Sequence, residues 1–374
     1  MHTGFCTTKF DTEVLIIGNG PAGIALSAFL SGMHPYYDPK TPHENVTVHE
    51  KLMANADFSL IDQTKIGGSW NEYDPEMLTV SFSDWMDMPG FTMEQWLGGK
   101  PLVKRLPSVA IATYLKKYVE RLRLRKKFHQ HFVVNSIRKV GDVWITEGKR
   151  STDGRAFRIR SKQVVVACGK TSPRKLQLPN EEHCSSNIVY DMRSLKEKLD
   201  STKKTVIDDE HYDTPSTSAS APVIVVGDGV SSVDCVRHCL ERDIPVIHVI
   251  RRNLRELRIY RMMIGRSAHK LYQRLLDANV SAISKCHVEI TTGGGEIIES
   301  PYSTVAVCIG RESHFSALFE TPPTFLDYRN PQDETMYAVG SYAGDHFVRF
   351  LVGGCLRVAQ HIIAGGNNNN LNKF

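Results

Sequence analysis

Residues 14–23, Val14-Leu15-Ile16-Ile17-Gly18-Asn19-Gly20-Pro21-Ala22-Gly23, constrain this chain more than any other stretch. A short apolar run ending in G-x-G-x-x-G is the turn through which a buried strand presents a pyrophosphate to a helix. Gly18 makes the tight turn, Gly20 lets backbone approach the phosphates, and Gly23 lets helix pack on strand. The anion then meets the free N–H groups and the positive dipole end of the helix. Pro21 suits the first helical position, where its missing N–H is not needed, and Ala22 completes the phosphate-facing set. Val46-Thr47-Val48-His49-Glu50 predicts a second strand whose terminal acid, Glu50, binds ribose, with the stretch from His34 onward as the intervening loop.

The pattern recurs at Pro222-Val223-Ile224-Val225-Val226-Gly227-Asp228-Gly229-Val230-Ser231-Ser232, with serine at the third small position. Gly227, Gly229 and Ser231 are its candidate cofactor contacts. The next strand, Pro245-Val246-Ile247-His248-Val249-Ile250, ends in Arg251-Arg252 rather than an acid. Two guanidiniums there suit the 2′-phosphate of NADP; alternatively they open a solvated basic stretch running on through Arg255, Arg258 and Arg261. Two dinucleotide units in one chain point to FAD in the first and NADPH in the second.

A length of 374 residues suffices for two domains with substantial cores. The expected fold is α/β: two dinucleotide-binding, Rossmann-like domains, the NADPH domain (196–304) inserted into a discontinuous FAD domain (10–195 and 305–366). A formal net charge of +5 suits polyanionic cofactors without demanding nucleic acid. There is no zinc-finger spacing, aromatic-rich RNA signature or long block of one charge, so nucleic acid is not an expected partner. The eight cysteines are scattered and none forms a C-x-x-C pair, which argues against a dithiol reductase. With no secretory apolar region at its start, the chain is expected to be a soluble, cytoplasmic protein with reduced thiols. His129-Gln130-His131 and His183-Cys184 lack further ligands at metal spacing, so no metal is expected. No run approaches 18 apolar residues, so no transmembrane segment is expected either.

Gly67-Gly68-Ser69-Trp70 opens an irregular segment rich in Asp, Pro, Met and aromatics that runs to Phe91. We read it as an ordered excursion over the first nucleotide, with Gly68, Ser69 and Trp70 in contact with the cofactor. Apolar spacing predicts a helix over 109–125, whose Lys116, Lys117, Arg121, Arg123 and Arg125 form either a solvated face or a surface for a partner or membrane. Strands are predicted over 131–140, 143–147 and 156–168, placing Val134 and Gly169 at the first nucleotide. The run Val305-Ala306-Val307-Cys308-Ile309-Gly310-Arg311 predicts a strand returning the chain to a nucleotide-binding sheet. Residues 200–221 are expected to be a mobile loop and 367–374 a disordered tail. Met336–Asp345 predicts a strand and turn entering a helix from about 347 to 363. Asp345 or Ser341, with Gly344 beside them, then stands at the flavin's ribityl and phosphate region, unless Asp345 merely caps the helix.

In the order of these motifs the chain resembles the flavin-containing monooxygenases and their Baeyer–Villiger relatives. More narrowly it resembles the oxidative-stress-induced growth inhibitor family. The residues carrying that likeness are Ile17-Gly18-Asn19-Gly20-Pro21, Leu78-Thr79-Val80-Ser81 with Asp84-Trp85-Met86, Val246-Ile247-His248 with Arg251-Arg252, and Gly344-Asp345-His346-Phe347-Val348-Arg349-Phe350. The monooxygenase signature F-x-G-x-x-x-H-x-x-x-Y/F is not matched by Leu178-Pro179-Asn180-Glu181-Glu182-His183 and the segment after it.

The resemblance implies an FAD- and NADPH-binding monooxygenase with a role in growth, cell division or cell death. NADPH would reduce FAD, and the reduced flavin would activate dioxygen toward an unidentified small-molecule or protein substrate. Two alternatives stand beside it: an uncoupled NADPH oxidase releasing hydrogen peroxide, and a cofactor-binding regulator acting through a protein partner. The cofactors carry the chemistry, so no protein acid–base pair is required and no catalytic residue is assigned.

Overall fold

A computed structural model describes residues 10–35, 37–38, 40–41, 43–101, 103–169, 172–208, 221–252 and 270–371. The chain divides into two compact units, Met1–Thr171 with Ser313–Phe374, and Ser172–Glu312. In chain order the first unit supplies β1 (Thr12–Ile17), α1 (Pro21–Leu30), α2 (Val46–Met53), β2 (Phe58–Asp62), the one-turn α3 (Met93–Trp96), α4 (Ser108–Arg121), β3 (Phe128–Gln130), β4 (Phe132–Val140), β5 (Val143–Arg150) and β6 (Ala156–Val166). The second holds β7 (Ser172–Pro173), β8 (Ile188–Val189), α5 (Met192–Asp208), β9 (Val223–Val226), α6 (Val230–Leu240), β10 (Val246–Ile250) and β11 (Tyr272–Leu276). It continues with β12 (Ala278–Ile283), β13 (His287–Thr292), β14 (Ile297–Pro301), β15 (Thr304–Val307) and β16 (Arg311–Glu312). The chain then returns to the first unit for β17 (Arg329–Asn330), β18 (Asp333–Ala338) and α7 (Val348–Leu371).

The first sheet runs β17-β18-β6-β1-β2-β3, with β5 attached to β6 and β4 to β5. From β18 to β3 every pairing is parallel, whereas β4, β5 and β6 form an antiparallel meander. Both faces of β1 are covered, which is why its sequence is a continuous apolar run rather than an alternation. Val14 and Ile16 share a core with α1, Tyr114 and Tyr118 of α4, and Val358 of α7. Leu15 and Ile17 share one with Ile137 and Trp144 of the meander. The irregular segment after Trp70 is ordered by α4: the Tyr114 hydroxyl accepts from the Met88 N–H at 2.8 Å and the Tyr118 hydroxyl donates to the Pro89 carbonyl at 2.5 Å.

The second sheet is wholly parallel, in the order β11-β10-β9-β15-β8. Ahead of β8, the Glu181 carboxylate is buried and accepts from the N–H groups of Leu176 and Gln177 at 3.0 and 2.7 Å and from the Tyr190 hydroxyl at 2.7 Å. The segment that fails to match the monooxygenase signature is thus organised around a buried acid.

Several expectations are corrected. Residues 46–50 are not a strand but the start of α2: the Asn45 side chain accepts from the Val48 N–H at 3.2 Å and caps the helix, and Val46 and Val48 stay exposed. The second strand is β2, whose Phe58, Leu60 and Ile61 are buried between β1 and β3. The strand expected over 305–311 does join a glycine-turn sheet, but it is the second and not the first, to which the expected domain bounds assign it, because Val305 pairs with Ile224 of β9 and Ile188 of β8. The returning strand is β18, Met336–Ala338 of which lie beside Val164–Val166 of β6. The exit and return therefore fall at 171/172 and 312/313 rather than 195/196 and 304/305. Residues 200–208, expected in a loop, end α5, and the expected tail is helical backbone in α7 as far as Leu371. Residues 209–220, 372–374, Arg255, Arg258 and Arg261 lie outside the described residues.

Candidate functional site

Strand β1 lies between β2 and β6, so the chain leaves it in one direction and later returns on its other side. Ligands bind at such a switch point, beyond the carboxyl ends of the strands. A cavity of about 420 Å³ lies there, within the usual size of a cofactor site. Gly18, Gly20, Pro21, Ala22, Gly68, Ser69, Trp70, Val134, Gly169 and Asp345 all line it.

The glycines divide the work as their positions require. Gly18 has φ +120°, and a Cβ there would stand 2.5 Å from the Ala167 carbonyl oxygen, so β1 and the chain after β6 touch only because the side chain is missing. A Cβ on Gly23 would stand 1.9 Å from the Gly18 carbonyl oxygen. Gly23 is therefore the helix-packing glycine, and it does not line the cavity. Gly20 precedes α1, and a Cβ there would meet nothing within 4 Å, so it leaves open space for a phosphate. Gly344 closes the 340–343 turn at φ +101° and hands Asp345 to the cavity. The Tyr328 hydroxyl lies beside Asp345; burial and that carboxylate push its pKa up.

Glu50 is not brought to the site, since it stands exposed on α2. The acid at the end of the second strand is Asp62, which lines the cavity. Its carboxylate accepts from the Asn19 N–H at 2.8 Å and from the Thr64 N–H and hydroxyl at 2.6 and 2.7 Å. Burial nonetheless pushes its pKa up against those bonds. The pattern Phe58-Ser59-Leu60-Ile61-Asp62 carries the signal that could have found it: a short, mostly apolar strand ending in an acid. Cys168, His314, Phe315 and His346, which no motif marked as cofactor contacts, also line the cavity.

The second unit repeats the construction. Gly227 has φ +129°, and a Cβ there would stand 2.3 Å from the Cys308 carbonyl oxygen. Gly229 precedes α6 with nothing within 4 Å of a Cβ. Counted from Gly227, the third small position is Ser232, buried, with its hydroxyl donating to the Gly229 carbonyl at 2.6 Å; Ser231 is exposed on the first turn of α6. His248 of β10 is fully buried and its Nε2–H donates to the Gly227 carbonyl at 2.7 Å, leaving Nδ1 to accept from the Tyr272 hydroxyl at 3.2 Å. Burial lowers its pKa to about 4. Arg251 and Arg252 follow β10, both exposed, and Arg252 Nε lies 3.1 Å from the Asp228 carboxylate.

Among the described residues the cysteines are free thiols, and Cys168 is the one that lines the first cavity, its pKa raised by burial and by Asp62. Cys235 and Cys308 lie 3.8 Å apart, sulfur to sulfur, in the core of the second unit. Among the described residues no helix is long and apolar enough to cross a membrane.

Two glycine turns, each at a parallel-sheet switch point in its own unit, define a protein with two dinucleotide-binding domains. Residues 12–326 match the pyridine nucleotide-disulphide oxidoreductases, and the chain belongs to that family, which implies binding of FAD and of NAD(P)H. Within it, the chain belongs to the oxidative stress-induced growth inhibitors. It is 71% identical to the oxidative stress induced growth inhibitor homolog osgn-1 of Caenorhabditis elegans, over 99% of this chain and 98% of that protein. It is 23% identical to oxidative stress-induced growth inhibitor 2 of Homo sapiens, over 93% and 92%. Its fold is similar to that of the bacillithiol disulfide reductase of Bacillus cereus, with a TM-score of 0.69 at 18% identity over 94% of this chain and 99% of that one. It is also similar to a flavin-containing monooxygenase from Stenotrophomonas maltophilia, with a TM-score of 0.61 at 13% identity over 94% and 98%.

The two glycines of the first turn should respond differently to substitution. Gly18→Ala should lower the melting temperature of the protein, because its Cβ has no room. Gly20→Ala should fold with an unchanged melting temperature in the cofactor-free state and retain far less flavin after desalting, read at 450 nm. Equal effects of the two on folding would contradict this division.

The buried His248 predicts a pH dependence. Its folded pKa, about 4, lies below the ordinary value of 6.5. Its contribution is complete above the ordinary value. As the pH falls toward about 4 the unfolded chain takes up a proton that the folded chain refuses, so stability is lost across that window. The loss is at most about 3 kcal/mol, taking roughly 1.4 kcal/mol per unit. His248→Asn, which still offers an N–H toward Gly227, should flatten that part of a melting-temperature profile from about pH 7.5 to 4.5; an unchanged slope would exclude His248 as its source.

Proposed function

We propose that the first unit holds FAD, with Gly18, Gly20 and the start of α1 at the pyrophosphate, Asp62 at the adenosine ribose and Asp345 at the ribityl chain. The second unit holds NADPH, with Gly227, Gly229 and the start of α6 at the pyrophosphate and the arginines after β10 at the 2′-phosphate. The flavin, when bound, supplies hydride acceptance from NADPH and electron transfer to dioxygen. This chain's residues bind, orient and shelter. Trp70, Phe132, Phe315 and Leu318 supply an apolar wall, and Asp62 and Asp345 offer carboxylates to hydroxyl groups.

The observation that carries an oxygen-using reading over disulfide reduction is the cysteine placement. A disulfide reductase passes electrons from flavin to a thiol pair, and the thiolate is the reacting form. Among the described residues the cavity is lined by one cysteine, and burial holds that thiol protonated. A monooxygenase-like reaction on an unidentified small molecule or protein, with dioxygen as co-substrate, is thus the favoured chemistry, and hydrogen peroxide is its uncoupled product. A role in growth regulation follows from the names of the relatives. The cytoplasm is the proposed setting, where free thiols are maintained.

A second reading, a cofactor-retaining regulator that acts through a protein partner, draws on one feature. The Arg349 guanidinium lies 3.9 Å from the Trp85 ring centre and 4.4 Å from that of Phe350, and both rings are exposed. Trp, Phe and Arg in contact at a surface are the composition of protein-interface anchors.

Anaerobic NADPH added to flavin-loaded protein should bleach the flavin, and oxygen should restore it with consumption of dioxygen. Bleaching without any thiol-dependent disulfide reduction supports the oxygen-using reading. Nucleotide binding without bleaching would overturn it in favour of the regulator.

A further inference from the structure

The two glycine turns differ at their middle residue. In the first, Asn19 is fully buried and its amide donates to the Thr64 carbonyl at 2.9 Å, so it braces the loop after β2. In the second, the same place holds Asp228, whose side chain is 30% exposed and whose carboxylate lies 3.1 Å from Arg252 Nε. Asp228 is thus held at the surface of the turn, against one of the two arginines that follow β10.

That arrangement combines two recognition chemistries that normally exclude one another. A carboxylate beside the adenosine ribose accepts hydrogen bonds from its hydroxyl groups and repels a 2′-phosphate, whereas arginines there attract the phosphate. Here the acid comes from the glycine turn and the guanidiniums from the end of the neighbouring strand. With Arg252 compensated by Asp228, a phosphate arriving at this corner must compete with a carboxylate already in place. Arg251, exposed on the same strand end, has no carboxylate paired with it among the described residues and meets the phosphate without that competition.

We propose that Asp228 sets the dinucleotide preference of the second unit: by engaging Arg252 it restrains selectivity for the 2′-phosphate, so that NADH is admitted alongside NADPH and Arg251 carries most of the discrimination. This deepens the proposed function and rests on its assignment of the second unit to a pyridine nucleotide.

The test measures dissociation constants of NADPH and NADH for the full-length, flavin-loaded protein by fluorescence titration, in wild type, Asp228→Asn, Arg251→Ala and Arg252→Ala. Asp228→Asn frees Arg252 without changing side-chain size. It should tighten NADPH roughly ten-fold, about 1.4 kcal/mol, while moving NADH by less than about three-fold. Arg251→Ala should weaken NADPH at least ten-fold, and Arg252→Ala should do so by less than Arg251→Ala. An Asp228→Asn protein whose NADPH-to-NADH ratio is unchanged, or shifted toward NADH, overturns the role of Asp228 while leaving the second site as assigned. A wild type that binds neither nucleotide at millimolar concentration overturns both. Retained flavin and melting temperature of each variant identify a folding defect, and Asp228→Ser, which also removes the charge, must then show the same shift in ratio for the proposal to stand.

Discussion

The structure depends on a close backbone contact made twice. At the end of β1 the chain turns at Gly18 against the carbonyl of Ala167, and at the end of β9 it turns at Gly227 against the carbonyl of Cys308, each with φ beyond +100° and no room for a Cβ. The parallel strands can then stay paired up to the turn, since the Gly18 N–H reaches the Ile61 carbonyl at 2.9 Å and the Gly227 N–H the Val249 carbonyl at 3.0 Å. Because the turn is this tight, the helix that follows begins directly over the strand ends. Its free N–H groups therefore open onto the switch point, where a pyrophosphate gains most from them.

The groups around the two turns decide how that shared device is used. In the first unit a carboxylate, Asp62, ties Asn19 and Thr64 together and lines the cavity with apolar and aromatic neighbours. In the second, a neutral histidine inside the sheet holds the turn's carbonyl, and charge sits outside it in Asp228 and Arg252. One unit therefore encloses a cavity, and the other carries charged groups at the surface of its turn. That difference accords with a tightly held flavin and an exchangeable nicotinamide nucleotide. Similar folds carry both disulfide reduction and oxygenation, so it is the side chains and not the architecture that separate them.

Much of this was legible in the residues. Both glycine turns, the meander after α4, the terminal strand–turn–helix and part of the cavity lining follow from apolar runs and glycine spacing, because a strand buried on both faces and a turn without space for a Cβ leave few other sequences possible. The misreadings have a common cause: short segments in which periodicity does not decide. Val46-Thr47-Val48-His49-Glu50 alternates like a strand, but Asn45 caps it as a helix and nothing covers its valines. The strand at 304–307 has the composition of either sheet, and only its pairing with β8 and β9 assigns it. Cys168 and His346 reach the cavity as neighbours of Gly169 and Asp345, whereas His314 reaches it through tertiary placement that no local pattern records.

The measurement that bears most directly on the account is the cofactor content of the purified full-length protein. Heat release followed by chromatography and absorbance gives its identity and its ratio to protein. The account predicts FAD, released without covalent attachment, at one molecule per chain after incubation with excess FAD and desalting. A colourless protein that takes up no FAD, or one that retains FMN and rejects the dinucleotide, would contradict the assignment of the Gly18 turn to a pyrophosphate.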